Sequence, residues 1–298
     1  MPESFSLPSF AKINWTLRVL GKRADGFHEL FTIFQTISLH DTLVFEKSDR
    51  LELFCDDPTV PTDEGNLIIK AGQKLKDLTG YAIKGRVTLV KRIPSPGGLG
   101  GGSSNAMTAI FGLLKLNGIR PIKTWELRDL ASSLGADVPF FLCGGTATGA
   151  DRGDYVLPNI AEIDEPYLLV VTPQVEVPTA EAFAVINAPP LTKSDAESIL
   201  TVCREEASSF DPRLSVLKNE FEASVFDAYP EVGRVKETLL GLGAVNAVMS
   251  GSGASVFGIF DNTETRQAAE KALDKESTWR KFAVSTVSRS EYRRALGL

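Results

Sequence analysis

Few residues in this sequence could staple the chain or anchor it in a membrane. Its three cysteines, Cys55, Cys143 and Cys203, are odd in number, far apart and in no CxxC pair. That spacing reads as free thiols in a reducing compartment. No apolar run approaches the roughly 20 residues that a membrane span needs. The opening MPESFSLPSF has no basic region followed by an apolar stretch, so it does not read as a secretory signal. A cytoplasmic protein without a membrane partner is expected. Basic excess is also missing: the net charge is −6 and the pI about 5.2. A nucleic-acid partner normally requires a basic face, so none is expected. An anionic small molecule is still admissible, because local Lys and Arg can outweigh the global balance.

What is present suits a large folded core. The chain has 298 residues, 43% of them hydrophobic and 23% charged. At about 150 residues per domain this suggests two domains. Residues 11–19 alternate, with Ala11, Ile13, Trp15, Leu17 and Val19 on one face and Lys12, Asn14, Thr16 and Arg18 on the other. A period of two predicts a half-buried strand. GKRADG (21–26) reads as a turn, and strands are predicted near 31–38, 42–46, 51–54 and 86–92. Helical stripes predict helices over 66–78, 103–116 and from Thr124, taken as an N-cap, to Leu134. The polar, proline-bounded stretch PNIAEIDEP (158–166) marks a domain boundary. Beyond it, a strand at 167–173 precedes helices near 179–186, 195–208, 213–228 and 231–241. Strands at 244–249 and 256–260, a helix at 263–274 and a strand at 281–287 follow. That ending is compatible with a ferredoxin-like α+β sandwich.

One segment stands out. Residues 97–102 are Gly-Gly-Leu-Gly-Gly-Gly, and a helical stripe follows. Glycines remove side chains where a backbone must approach a ligand closely, and a helix N-terminus offers N–H groups and positive potential to an anion. Pro94–Asn105 (Pro94, Ser95, Pro96, Gly97, Gly98, Leu99, Gly100, Gly101, Gly102, Ser103, Ser104, Asn105) therefore reads as a phosphate cradle for ATP. Three familiar loops do not fit. The dinucleotide fingerprint lacks its third glycine, finding Ser103 or Asn105 there, and the Walker pattern has Ser103 where lysine belongs. No HRD or DFG accompanies the loop, which rules out the protein-kinase arrangement. Pro96 removes one backbone donor at the loop's mouth. The competing structural reading is a flexible linker before an ordinary capped helix. The apolar flanks and the SSNA closure argue against it.

AKIN, RADGFH, GGLGGGSSNA, LGADVPFF and SGSGAS occur here in one order, across nearly the whole chain. Taken jointly they resemble the GHMP small-molecule kinase superfamily, named for galactokinase, homoserine, mevalonate and phosphomevalonate kinases. Within it they are most similar to the branch acting on 4-diphosphocytidyl-2-C-methyl-D-erythritol in non-mevalonate isoprenoid synthesis. The resemblance implies an α+β, two-domain fold: residues 1–160 as an ATP-binding domain of the ribosomal protein S5 domain 2-like type, and 161–298 as a ferredoxin-like, substrate-binding domain. It implies transfer of the γ-phosphate of ATP to the 2-hydroxyl of that small-molecule substrate, with Mg2+ required and its ligands unassigned, in a monomer or homodimer.

The same resemblance assigns residues. Lys12 and Asp137 are the expected catalytic pair, an arrangement that suits a reaction driven by positioning and charge stabilisation. Asn14 would contact the substrate. Phe27 and Phe183 would wall the cytosine, and His28 would read its edge. Phe27 stands where tyrosine is common, which keeps the stacking face. Thr179 would join the substrate site, with Asn66 and Lys91 near the adenine and ribose. His40 has no motif and reads as structural. Two alternatives stay open: another GHMP acceptor such as mevalonate or homoserine, and a non-catalytic nucleotide sensor. RADGFH argues against the first, and retention of both Lys12 and Asp137 against the second.

Overall fold

Two very long strands, β1 (Ser4–Lys22) and β2 (His28–Glu46), form an antiparallel hairpin that organises the first half of the chain. The computed structural model describes residues 4–298 except 121, 185 and 187. The two strands expected at 31–38 and 42–46 are one continuous strand of 19 residues. Around the hairpin lie β3 (Leu51–Cys55), α1 (Leu67–Thr79), β4 (Gly85–Val90), α2 (Gly101–Leu116), α3 (Thr124–Leu134), the single turn α4 (Phe140–Cys143), β5 (Thr146–Ala150) and β6 (Tyr155–Leu157). The sheet order is β3-β4-β2-β5-β6, with β1 on β2. Thr124 is the first helical residue rather than the cap, a position taken by Lys123.

The alternation read over 11–19 is broken. The β1–β2 register shifts between Asn14 and Thr16, leaving Trp15 as an extra residue. Such a bulge swaps the faces of the residues after it. Ala11, Ile13 and Trp15 accordingly enter one core cluster, whereas Leu17 and Val19 enter another. Leu17 now lines the same cleft as Lys12 and Asn14. Nor is the strand half-exposed: Lys12 and Asn14 are each only 2% exposed.

The second half comprises β7 (Leu168–Pro173), α5 (Thr179–Ala184), α6 (Lys193–Ser208), α7 (Glu222–Ala228), α8 (Pro230–Gly241), β8 (Asn246–Met249), β9 (Val256–Ile259), α9 (Thr263–Ala272), β10 (Trp279–Val284) and α10 (Arg289–Leu296). Its antiparallel sheet runs β10-β7-β9-β8, the ferredoxin-like order. Of the helix expected at 179–186, residue 185 lies outside the described residues, and the helix itself ends at Ala184. The helix expected at 213–228 forms only from Glu222. Its first part is held extended, because Leu17 donates its N–H to Lys218 and accepts from Glu220 at 2.8 and 2.9 Å.

The expected boundary near 160 falls between the two sheets. Packing nevertheless crosses it at many points, among them the seam at Trp15 and the return of the last helix. Trp15 meets Phe257 edge-on at 5.3 Å in the seam between halves. α10 returns to the first half, where buried Tyr292 donates its hydroxyl to the Phe141 carbonyl at 2.5 Å. No described helix is long and apolar enough to cross a membrane.

Candidate active site

The glycine loop ends sooner than its sequence suggests. Gly100, in the left-handed region at φ 67°, caps α2, so the helix opens at Gly101 rather than 103. The N–H groups of Gly101, Gly102 and Ser103 sit in the first turn, where no intrahelical acceptor is available. The loop's carbonyls are engaged from behind. Leu99 accepts from the Lys12 N–H at 2.9 Å and Gly97 from the Ser255 N–H at 3.2 Å. Gly98 accepts from the Ser250 hydroxyl at 2.9 Å. With carbonyls turned away, what faces the cleft is a helix N-terminus suited to phosphate.

That cleft, about 460 Å³, is lined by every residue from Pro94 to Ser103, together with Lys12, Asn14, Asp137, Thr179, Phe183 and Gly251–Gly253. Ser104 and Asn105 do not reach it. They are buried on the inner face of α2, where Asn105 accepts from the Ser9 hydroxyl at 2.7 Å and the Ser104 hydroxyl lies 2.8 Å from the same oxygen, which can accept from it. Asn66 also lies off the lining: its side chain caps α1 through the Ile68 N–H at 2.9 Å and donates to the Pro61 carbonyl. Lys91 is buried against Asp41 at 3.0 Å, and Asp41 in turn accepts the N–H groups of Arg92 and Ile93. The pair therefore braces the strand-to-loop connection and does not line the cleft.

Lys12 and Asp137, 125 positions apart in sequence, come within 3.3 Å. The Lys12 ammonium also donates to Asn14 at 2.7 Å. Asn14 is a junction: it accepts the Gly251 N–H at 3.0 Å and donates to Thr32 at 2.7 Å. Asn219, which no motif marked, is 3% exposed and donates to the carbonyls of Met249 and Gly251. Two buried asparagines thus clamp the SGSGAS turn over Lys12. Thr179 reaches the same turn through Ser252 at 3.0 Å.

A second cavity of about 740 Å³ adjoins the first and is lined by Phe27, His28, Phe183, Lys22 and Arg152, among others. His28 stacks on Phe183 with centroids 5.4 Å apart, and Phe183 meets Phe221 edge-on. Phe27 is 54% exposed, an aromatic face left open to solvent. Burial lowers the His28 pKa, and the nearby Lys22 charge lowers it further. His40 lies away from both cavities, its Nδ1 against the Ser38 carbonyl at 2.9 Å. Asp41, Arg152 and Asn219 escaped the sequence reading because each acts on residues distant in the chain.

A site of this build has known counterparts. The family profile for the GHMP kinases N terminal domain matches residues 66–145, and that for the GHMP kinases C terminal matches 192–277. A 4-diphosphocytidyl-2-C-methyl-D-erythritol kinase of Solibacter usitatus is 37% identical, covering 96% of this chain and 90% of its own. That of Chlorobium limicola is 40% identical over 90% and 91%. Among solved structures, a 4-(cytidine 5'-diphospho)-2C-methyl-D-erythritol kinase superposes with a TM-score of 0.73 at 31% identity, covering 95% of this chain and 99% of its own. A mevalonate kinase superposes at 0.67 with 16% identity and shows the shared fold alone. Relatives this similar along nearly their whole length carry the conclusion that the two profiles begin: the chain belongs to the 4-diphosphocytidyl-2-C-methyl-D-erythritol kinase family of the GHMP kinases.

Proposed function

We propose that the protein transfers the γ-phosphate of ATP to the 2-hydroxyl of 4-diphosphocytidyl-2-C-methyl-D-erythritol, releasing ADP. The observation that carries this reading is the juxtaposition of two cavities, one with a helix N-terminus suited to phosphate and a Lys–Asp pair, the other with a histidine stacked on Phe183 and the open ring of Phe27. In the first cavity the backbone of Gly97–Ser103 cradles the nucleotide phosphates. Asp137 accepts the hydrogen bond and the proton of the acceptor hydroxyl. The hydroxyl oxygen bonds to the γ-phosphorus as the bond to ADP breaks. Lys12 stabilises charge on the phosphoryl oxygens, and Asn14 holds Lys12 in line. In the second cavity Phe27 and Phe183 flank the cytosine and His28 reads its edge, while Thr179 positions the substrate between the two cavities.

Mg2+ fits as a nucleotide-borne ion. Among the described residues no three His, Cys, Asp or Glu side chains form a cage, and Asp137 is the one carboxylate lining the loop cavity. An ion that would be carried by the phosphates, with the Ser103 hydroxyl within the same cavity and Asp137 left free for the acceptor, suits the preference of magnesium for few protein ligands. When bound it would neutralise phosphate charge. We place the enzyme in the cytoplasm, as a monomer or homodimer, with the phosphate loop supplied by residues 1–160 and the acceptor cavity lined from both 1–160 and 161–298. The free thiols of Cys55, Cys143 and Cys203 suit a reducing compartment.

The direct test is ADP release with ATP, magnesium and each acceptor in turn. Turnover is expected with the diphosphocytidyl substrate. Turnover with mevalonate or homoserine instead would overturn the reading. A pH prediction follows from His28. Its pKa lies below the ordinary 6.5, so the ring is neutral at pH 7.5 and gains its proton only in more acidic solution. Protonation removes the ring's acceptor nitrogen. KM for the diphosphocytidyl substrate should rise about three- to tenfold between pH 7.5 and 5, the worth of one hydrogen bond. The His28→Gln variant should show a flatter profile. A wild-type KM that stays level across this range removes His28 from base reading.

A further inference from the structure

A substrate that runs from the base end to the transfer end carries a diphosphate between them, and the lining of the cleft holds one cation at that point. This inference rests on the acceptor assigned above. The two cavities share Leu30, Ala136, Arg152 and Phe183 in their linings. Of these four only Arg152 is charged. Lys12 lines the loop cavity alone, and it is occupied by Asn14 and Asp137. Lys22 lines the base cavity alone.

Arg152 is presented by the turn between β5 and β6, and that turn is anchored. Asp151, its first residue, adopts a left-handed φ of 59°. It is held there by Arg23, whose guanidinium reaches its carboxylate at 2.5 Å, and by Glu29, which accepts its N–H at 2.9 Å. Gly153 closes the turn onto the Ala150 carbonyl at 2.9 Å. The Arg152 guanidinium contacts Asp154 at 2.5 Å through one nitrogen and stands 5.2 Å from the Phe27 ring. Among the described residues Asp154 is its one hydrogen-bond partner, which leaves most of its five N–H donors free. Planar, forked donors suit phosphate oxygens better than an ammonium does.

We propose that Arg152 is a specificity-determining residue that binds the diphosphate of the acceptor while its face steadies Phe27 over the base. The guanidinium side chain is 41% exposed, so substitution does not open the core.

The test compares CDP with cytidine as inhibitors competitive with the acceptor, at saturating ATP. CDP should inhibit the wild-type enzyme more strongly than cytidine, because it carries the diphosphate. In Arg152→Gln that advantage should collapse to within about twofold. KM for the acceptor should rise about 10- to 100-fold, the worth of a charged hydrogen bond, with KM for ATP unchanged. Arg152→Lys should fall between. Equal weakening of CDP and cytidine in Arg152→Gln would mean that the residue only props Phe27, and would overturn the proposal. An unchanged ratio of the two inhibitors would overturn it as well, leaving the acceptor assignment standing. Failure of the wild-type enzyme to phosphorylate the diphosphocytidyl acceptor would remove both.

Discussion

Asp137→Asn is expected to lower kcat by about 10²- to 10⁴-fold, the range for loss of a positioned general base. KM for ATP should stay within about twofold. Asparagine keeps the size of the side chain and one accepting oxygen but has neither charge nor basicity, so the acceptor hydroxyl is still held and no longer loses its proton. The variant also removes the counter-charge of Lys12, which is 3.3 Å away and almost fully buried. Removing one partner of a fully buried pair costs about 3–5 kcal/mol. Here the carboxylate is 34% exposed and Asn14 still accepts from the ammonium, so water and a hydrogen bond share the burden. A stability loss of about 1–2 kcal/mol is expected, readable as a drop in Tm. Steady-state kinetics with ATP varied at saturating acceptor separates the two effects. A kcat within tenfold of wild type would take Asp137 out of the chemistry.

Local patterns made much of this molecule legible. The stripes over 66–78 and 103–116 are helices, and the strand and helix order after residue 167 matches a ferredoxin-like sheet. Such features depend on neighbours within a few positions. Features set by distant contacts were not legible. The bulge at Trp15 needs the partner strand to be seen, and without it the alternation reads as one unbroken face. The return of α10 depends on Tyr292 filling the space that a hydrogen in place of a side chain leaves at Gly144. At the site, motif order paired Lys12 with the segment holding Asp137. Nothing local to Lys91 showed that Asp41, fifty positions earlier, would claim its charge. Asn219 and Arg152 are ordinary polar residues in sequence and gain meaning only from the turn and the cavities that the fold brings to them.

The seat of the glycine loop yields the second large effect. Gly98→Ala should lower kcat/KM for ATP by about 10²-fold or more. Gly98 has φ +70°, and a Cβ there would lie 2.1 Å from the Ser250 carbonyl oxygen and 3.0 Å from that of Gly253. The backbone conformation alone costs an alanine about 1–2 kcal/mol. The clash cannot be relieved on the opposite side, because the Ser250 carbonyl is already bonded to the Gly253 N–H at 3.0 Å and its N–H to Ser255 at 2.9 Å. Asn219 fixes the same turn from below. The loop must therefore withdraw, and it takes the start of α2 and the Leu99 carbonyl that holds Lys12 with it. A displacement near 1 Å at reacting groups is worth about 10²-fold. Gly102→Ala is the contrast: the nearest atom to its Cβ is Leu67 Cδ1 at 3.7 Å, and its φ is ordinary for a helix. Alanine there should raise Tm, since it favours the helix by up to about 1 kcal/mol, and any loss of ATP affinity then reports only the room the nucleotide needs. Gly98→Ala should lower both Tm and kcat/KM. If it keeps kcat/KM within fivefold of wild type, the loop does not depend on the SGSGAS turn for its position, and the coupling of the two halves through Ser250 is refuted.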